Sequence, residues 1–189
     1  MNSAHPAITD VLIPAYNGAE TIADSVRSIQ QQTIAEIRII VVDDGSTDMT
    51  PEIVATLATS DPRIKLIRKP SNSGIVDTLN LGLAQCTALY VARHDADDLA
   101  YPDRFAVQLA YLSSHPDCLA VGAAARRVDA RGTPLGDYAR MPPPELADPT
   151  WVPSREPYLM HPFLMVRREA LMKVGGYRHA FHSEDTDLY

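Results

Sequence analysis

Through its first 115 residues the chain alternates short apolar runs with stretches of helical periodicity, and few folds accommodate that order. Val11-Leu12-Ile13, closed by Pro14, reads as a buried strand. Between Glu20 and Gln32, residues Ile22, Val26 and Ile29 recur at helical spacing. Arg38 to Val42 is largely β-branched and continuous, the pattern of a strand covered on both faces. Thr50 as cap and Pro51 at the first helical position open a helix striped by Ile53, Val54 and Leu57. Ile64 to Ile67 predicts a third strand, and Gly74 to Cys86 a helix carrying Ile75, Leu79, Leu83 and Cys86 near one face. Leu89 to Ala92 then predicts a fourth strand and Pro102 to Ser114 another helix. Such repetition implies an α/β fold, a mostly parallel sheet flanked by helices.

The pattern changes after His115. Leu119 to Val128 reads as one strand, joined by an Ala130-Arg131-Gly132 turn to a second around Leu135 to Tyr138, a small antiparallel addition. Eight of the 15 prolines fall between Pro134 and Pro162, in a stretch without clear periodicity. A segment of that length without regular structure is a functional loop or a flexible one. Phe163 to Val166 reads as a strand, followed by a short helix and a Gly175-Gly176 break. A length of 189 residues fits one domain, 1–189, with a full core.

Charge narrows the partners. With 17 basic against 24 acidic residues the net charge is −7, which argues against nucleic acid. An anionic small ligand stays compatible, because a bound metal reverses the local sign of a site. Cys86 and Cys118 have no metal-ligand spacing and read as reduced, buried thiols of a cytoplasmic protein. The opening MNSAHPAITD lacks a basic start and an apolar core, so no signal peptide is expected there. No apolar run approaches the roughly 18 residues that span a bilayer. A soluble or peripherally bound protein is expected.

Ligands of open α/β sheets bind outside the carboxyl ends of the strands. Three expected strands end there in polar residues: Pro14-Ala15-Tyr16-Asn17, Asp43-Asp44-Gly45-Ser46 and His94-Asp95-Ala96-Asp97-Asp98. Five carboxylates are thereby gathered on one rim, where they repel and raise one another's pKa. A hard divalent cation, Mn²⁺ or Mg²⁺, relieves that repulsion and prefers oxygen ligands. Plainer readings stand beside this one. Asp43 to Asp48 also suits an ordinary turn with helix caps, and Asp95 to Asp98 a solvated loop before a helix.

Taken in order, Ile13 to Asn17, Val41 to Asp48, Asn72-Ser73-Gly74 and Asp95 to Asp98 closely resemble family-two glycosyltransferases of the GT-A fold. His161-Pro162, Arg167-Arg168-Glu169, Val174 to Tyr177 and Glu184 to Leu188 resemble the same family in the same order. The resemblance implies an inverting, metal-dependent transfer of sugar from a nucleotide-diphosphate donor, UDP by family habit with GDP and dTDP as alternatives, to an acceptor hydroxyl. It implies that Pro14, Ala15 and Tyr16 line the base pocket and that Asp43 accepts a hydrogen bond from a uracil-type ring. Asn17 and Asp44 would shape the same loop, and Asn72 and Gly74 would lie beside the nucleotide. Asp95 would contact the ribose or metal-bound water, Asp97 would ligate the metal, and Asp98 would help. Asp185 matches the family's catalytic base, with Glu184 beside it. Residues 1–115 would form the nucleotide-binding half and 116–189 the acceptor-side half. Family members continue past the position of Tyr189, so an incomplete acceptor side is expected. A glycan or lipid-linked acceptor, and cell-envelope or polysaccharide assembly at an inner membrane face, also follow from resemblance alone.

Alternatives remain at several positions. Glu184, Asp185 and Asp187 after Ser183 also suit the first turn of a helix, where acids favour the macrodipole. His161 either ends a loop or faces the metal or acceptor, and His94 is either a packing residue or a pocket contact. Asn80 stays outside the candidate site, because Leu79 stands where relatives carry a basic residue. Among rival functions, a nucleotidyltransferase needs a Gly-rich phosphate loop with a basic residue after its first strand, and Pro14 to Glu20 has neither. A dehydrogenase needs G-x-G-x-x-G there, which is absent. A catalytically silent nucleotide-sugar-binding fragment is the third rival.

Overall fold

The computed structural model describes residues 7–129, 132–139 and 160–178. A six-stranded sheet runs β3-β2-β1-β4-β8-β5. Its four parallel strands are β1 (Thr9–Ala15), β2 (Ile37–Asp43), β3 (Ile64–Arg68) and β4 (Tyr90–Arg93). Beyond β4, β8 (Met165–Arg167) pairs antiparallel to both β4 and β5 (Ala120–Val121). A separate two-stranded antiparallel sheet joins β6 (Ala125–Val128) to β7 (Pro134–Ala139). The helices are α1 (Ile22–Gln30), α2 (Thr50–Ser60), α3 (Ile75–Leu83), α4 (Arg104–Ser114) and α5 (Arg168–Lys173).

Strand alternation divides the apolar residues between two cores. Val11, Ile13, Ile39 and Val41 face α1, α2 and α4, where they meet Val26, Val54 and Phe105. Leu12, Ile40, Val42 and Val91 face α3 and α5, where they meet Leu79, Leu83 and Leu171. Both faces are covered, which is why β1 and β2 read as unbroken apolar runs rather than alternating ones. Gly82 brings α3 onto the sheet: a Cβ there would stand 2.2 Å from Leu12 Cδ1 and 2.9 Å from Val42 Cγ2.

Three expectations need correction. Leu119 to Val128 is not one strand; β5 extends the main sheet, and β6 belongs to the hairpin. Thr50 is the first residue of α2 rather than its cap, and its hydroxyl instead bonds Asp48 and receives the Gly18 N–H. His161 to Phe163 form a 3-10 turn, so β8 begins only at Met165. Cys86 is buried and Cys118 partly so, and both are free. Burial pushes the Cys86 thiol up to about 12, with the Asp10 charge adding to the effect. No helix among the described residues is long and apolar enough to cross a membrane.

Candidate functional site

The chain builds β1, β2 and β3 in one direction across the sheet, then returns to lay β4 on the other side of β1. That reversal opens a crevice at the carboxyl ends of β1 and β4, the place where such sheets bind ligands. A cavity of about 580 Å³ occupies it. Pro14, Ala15, Tyr16, Asn17, Asp44, Asn72, Gly74, Asp95 and Asp97 all line this cavity. Tyr16 is half exposed at its mouth.

The loops after β1 and β2 are sewn together. Asn17 adopts φ +50°, donates its N–H to Ser46 Oγ at 2.9 Å, and its Oδ1 accepts the Thr47 N–H at 2.9 Å. Gly18 N–H reaches Thr50 Oγ1 at 2.8 Å, and Ala19 N–H reaches Asp48 Oδ2 at 3.0 Å. Hydrogen bonds from Thr50 hold the Asp48 carboxyl below its ordinary range, against its own desolvation. Asp44, almost fully buried, ties in a third loop by accepting from the N–H groups of Ser73 and Gly74, each at 3.0 Å. Lys69 Nζ bonds Asp44 at 2.5 Å and Thr78 Oγ1 at 2.9 Å, and it also contacts Ser73 Oγ. Burial raises the Asp44 pKa, but the Lys69 bond and the two N–H groups outweigh it and keep the carboxyl below the usual range.

Asp43 lies directly beneath this rim, fully buried. One oxygen accepts the Ser46 N–H at 3.4 Å, while Oδ2 has no hydrogen-bond partner and lies 3.9 Å from Arg68 Nε. A shallower hollow of about 490 Å³, lined by Gly45, Ser46, Thr47, Arg68, Lys69 and Pro70, adjoins it.

After β4, carboxylate oxygens of Asp95, Asp97 and Asp98 lie within 4.8 Å of one another. Asp97 is exposed, Asp95 and Asp98 partly buried. Burial, with the neighbouring Asp95 and Asp97 charges, raises the Asp98 pKa to about 6. Asp95 pairs with Arg93 at 2.5 Å, and its backbone carbonyl accepts from Ser25 Oγ at 2.9 Å. Three clustered carboxylates form a hard-oxygen donor set that suits a divalent cation.

Asp43, Asp98 and His161 do not line the cavity. His161 is buried edge-on to Tyr177, with ring centroids 5.4 Å apart. Burial and the Arg93 guanidinium push it down to about 3, so it is neutral. His94 is fully buried and contacts Arg104, whose Nη1 lies 3.1 Å from Nδ1. A guanidinium only donates, so Nδ1 accepts and the imidazole proton sits on Nε2. Asp185 and Glu184 lie outside the described residues. Arg68, Lys69, Arg93 and Thr78 at this rim belong to no motif recognised in the sequence. Lys69 and Arg93 carried one signal, their position at the carboxyl ends of β3 and β4.

A crevice at the switch point and an acidic loop after the fourth strand are the layout of a glycosyltransferase of the GT-A fold. The chain belongs to glycosyltransferase family 2, whose family model matches residues 10–175. It is 30% identical over 181 residues to the amylovoran biosynthesis glycosyltransferase AmsE of Erwinia amylovora, covering 95% of this chain and 67% of that protein. To the putative glycosyltransferase EpsE of Bacillus subtilis it is 34% identical over 193 residues, covering 100% and 67%. Among solved structures it superposes on the mannosyltransferase PcManGT of Pyrobaculum calidifontis, in complex with GDP-Man and Mn²⁺, with TM-score 0.74 at 23% identity; 96% of this chain and 50% of that one are covered. On S. aureus TarS 1–349 in complex with UDP-GlcNAc the TM-score is 0.74 at 24% identity, covering 94% and 51%. The chain thus spans about two thirds of those two relatives and half of the solved chains.

Proposed function

We propose that this chain carries the donor half of an inverting glycosyltransferase that moves a sugar from a nucleoside-diphosphate donor, UDP-linked in the first instance, to an acceptor hydroxyl. The observation that carries the reading is the acidic loop facing Asp44, Asn72 and Gly74 across one cavity. A volume of about 580 Å³ falls within the range of small-ligand sites, ~300–1,000 Å³. Tyr16 offers a flat face for a base, and Asp43, the residue that the family motif assigns to a uracil-type ring, lies buried beneath the cavity rim with Oδ2 free of hydrogen bonds. Asp44 shapes the cleft rather than reads the ligand, since both its carboxylate oxygens are taken by a neighbouring loop, and Asn17 commits its N–H and Oδ1 to the loop after β2.

Asp97, exposed at the cavity, is assigned as the metal ligand, with Asp95 and Asp98 beside it. A divalent cation there, Mn²⁺ or Mg²⁺, supplies positive charge for the diphosphate as it departs. In the transfer the bond from the anomeric carbon to the diphosphate breaks as the acceptor oxygen forms its own bond to that carbon. The acceptor proton passes to a carboxylate on the opposite face, a role assigned to Asp185 with Glu184 beside it, on the family motif. Residues 116–189 would supply the acceptor side, and a polysaccharide precursor is the acceptor class that AmsE suggests.

Calorimetry with UDP, with and without Mn²⁺, tests the assignment. UDP binding should tighten with Mn²⁺ in the wild-type chain, and Asp97→Ala should abolish that gain. Metal-independent binding, or a gain that survives Asp97→Ala, overturns it.

A further inference from the structure

Beneath the acidic loop lies a buried group that neither the family motifs nor the cavity lining brings forward. Arg93, the last residue of β4, is only 4% exposed. The other buried arginine among the described residues, Arg104, and the partly buried Arg167 spend donors on backbone carbonyls of other elements. Arg104 donates to the carbonyls of Arg93 at 2.8 Å and Pro162 at 3.2 Å, and Arg167 to those of Cys118 at 2.9 Å and Leu112 at 2.7 Å. Arg93 differs. Its Nη1 donates to the His94 carbonyl at 2.5 Å, its Nη2 pairs with Asp95 Oδ1 at 2.5 Å, and its Nε has no partner. Both contacts of its fork therefore fall on the two residues that follow it, and among the described residues they hold no distant element.

The geometry points to Arg93 as the positioning residue of the metal loop, a planar fork that grips the His94 carbonyl and the Asp95 carboxylate together and so sets where the acidic cluster presents its oxygens. This rests on the metal and donor site proposed above. The electrostatics need such a group. Three carboxylates within 4.8 Å repel, and a guanidinium on the buried side offsets part of that repulsion without occupying the exposed side. The fork is itself braced: Arg104 holds the Arg93 carbonyl, and its other nitrogen contacts His94 Nδ1. A lysine would keep the charge but present a point rather than a fork, and could not span the carbonyl and the carboxylate in fixed geometry.

A double-mutant cycle on this chain tests it, with UDP affinity measured in EDTA and in Mn²⁺, and free Mn²⁺ counted by electron paramagnetic resonance in the presence of UDP. Circular dichroism and thermal midpoints accompany each protein. Arg93→Lys is the lead variant, because it keeps the buried charge, and Arg93→Gln runs beside it. Each should leave UDP affinity in EDTA unchanged and reduce the Mn²⁺-dependent gain about 10- to 100-fold, the usual effect of losing a group that orients a metal ligand. Arg93→Lys combined with Asp95→Asn should be no worse than Asp95→Asn alone, since the first acts through the second. A gain retained in Arg93→Lys and Arg93→Gln, equal loss with and without metal, penalties that simply add, or tighter Mn²⁺ binding in Arg93→Gln each overturns the positioning role. If the wild-type chain shows no Mn²⁺-dependent gain, or Asp95→Asn retains it in full, the donor-site reading fails instead.

Discussion

At Gly45 the backbone adopts φ +71°, and a Cβ there would lie 2.5 Å from the Ser71 carbonyl carbon. Two independent constraints meet in this residue: the left-handed conformation costs a side-chain-bearing residue about 1–2 kcal/mol, and the loop carrying Asn72 packs against it. Gly45→Ala should therefore lower stability in urea unfolding by at least about 1 kcal/mol and weaken UDP binding as that loop moves aside. A variant as stable and as tightly binding as wild type would show that the loop yields freely. His161 illustrates a charge state decided by packing. Its folded pKa is lowered to about 3, from an ordinary value of 6.5, first by burial and then by Arg93. A lowered pKa favours the neutral form, so this contribution is complete above pH 6.5 and is lost as pH falls from there toward 3. In His161→Gln the stability curve should be flatter across that window, by up to about 1.4 kcal/mol per pH unit. His94, also held neutral by burial and then by Arg104 and Arg93, keeps its sign in both proteins, so the difference isolates His161. Parallel curves for the two proteins would refute the assignment.

Among the elements, β1 does the most to place the site, and its second residue is an acid with no exposure at all. Asp10 accepts from Arg38 Nε at 2.8 Å and Nη2 at 2.9 Å, and from the N–H groups of Thr87 and Ala88 at 2.6 and 2.9 Å. One carboxylate thus joins β1 to β2 and to the turn entering β4. Asp10→Ala would leave a guanidinium and two N–H groups without their acceptor, and should cost about 3–5 kcal/mol in urea unfolding. A loss under about 1 kcal/mol would mean that water replaces the carboxylate at little cost. The strands and helices up to Ser114 were legible because each is long enough to show its period. Leu119 to Val128 was misread as one strand for a reason that periodicity does not register. An apolar and mixed run has no mark of the sheet it will join, and here Val121 pairs with β8 while Ala125 pairs with β7. Thr50 falls one position inside α2 because the Asp48 carboxylate, rather than the Thr50 hydroxyl, takes up the first free N–H of that helix, the N–H of Thr50 itself.

Across the whole molecule, the order of strands creates the crevice and thereby brings together segments as far apart in the chain as Pro14 and Asp97. Donor binding and proton removal should separate under mutation. In a transfer-competent form of the protein, Asp185→Asn should leave UDP affinity nearly unchanged while transfer to the acceptor falls by at least about 100-fold, the low end of a general base's contribution. Retained transfer would move the base elsewhere. The acidic motifs, their order and the β-α alternation are written locally, in neighbouring residues, and the sequence by itself determined the fold class and most of the residues that line the cavity. It did not single out Arg93, Lys69 or Arg68, because position at a strand end was their one signal and a basic side chain there reads as an ordinary surface charge. Only the tertiary structure decided that Lys69 is shut in with Asp44, that Asp43 keeps one oxygen without a partner, and that Arg93 lies under Asp95. The physical reason is that burial and pairing are properties of what packs around a residue, and those neighbours arrive from distant parts of the chain.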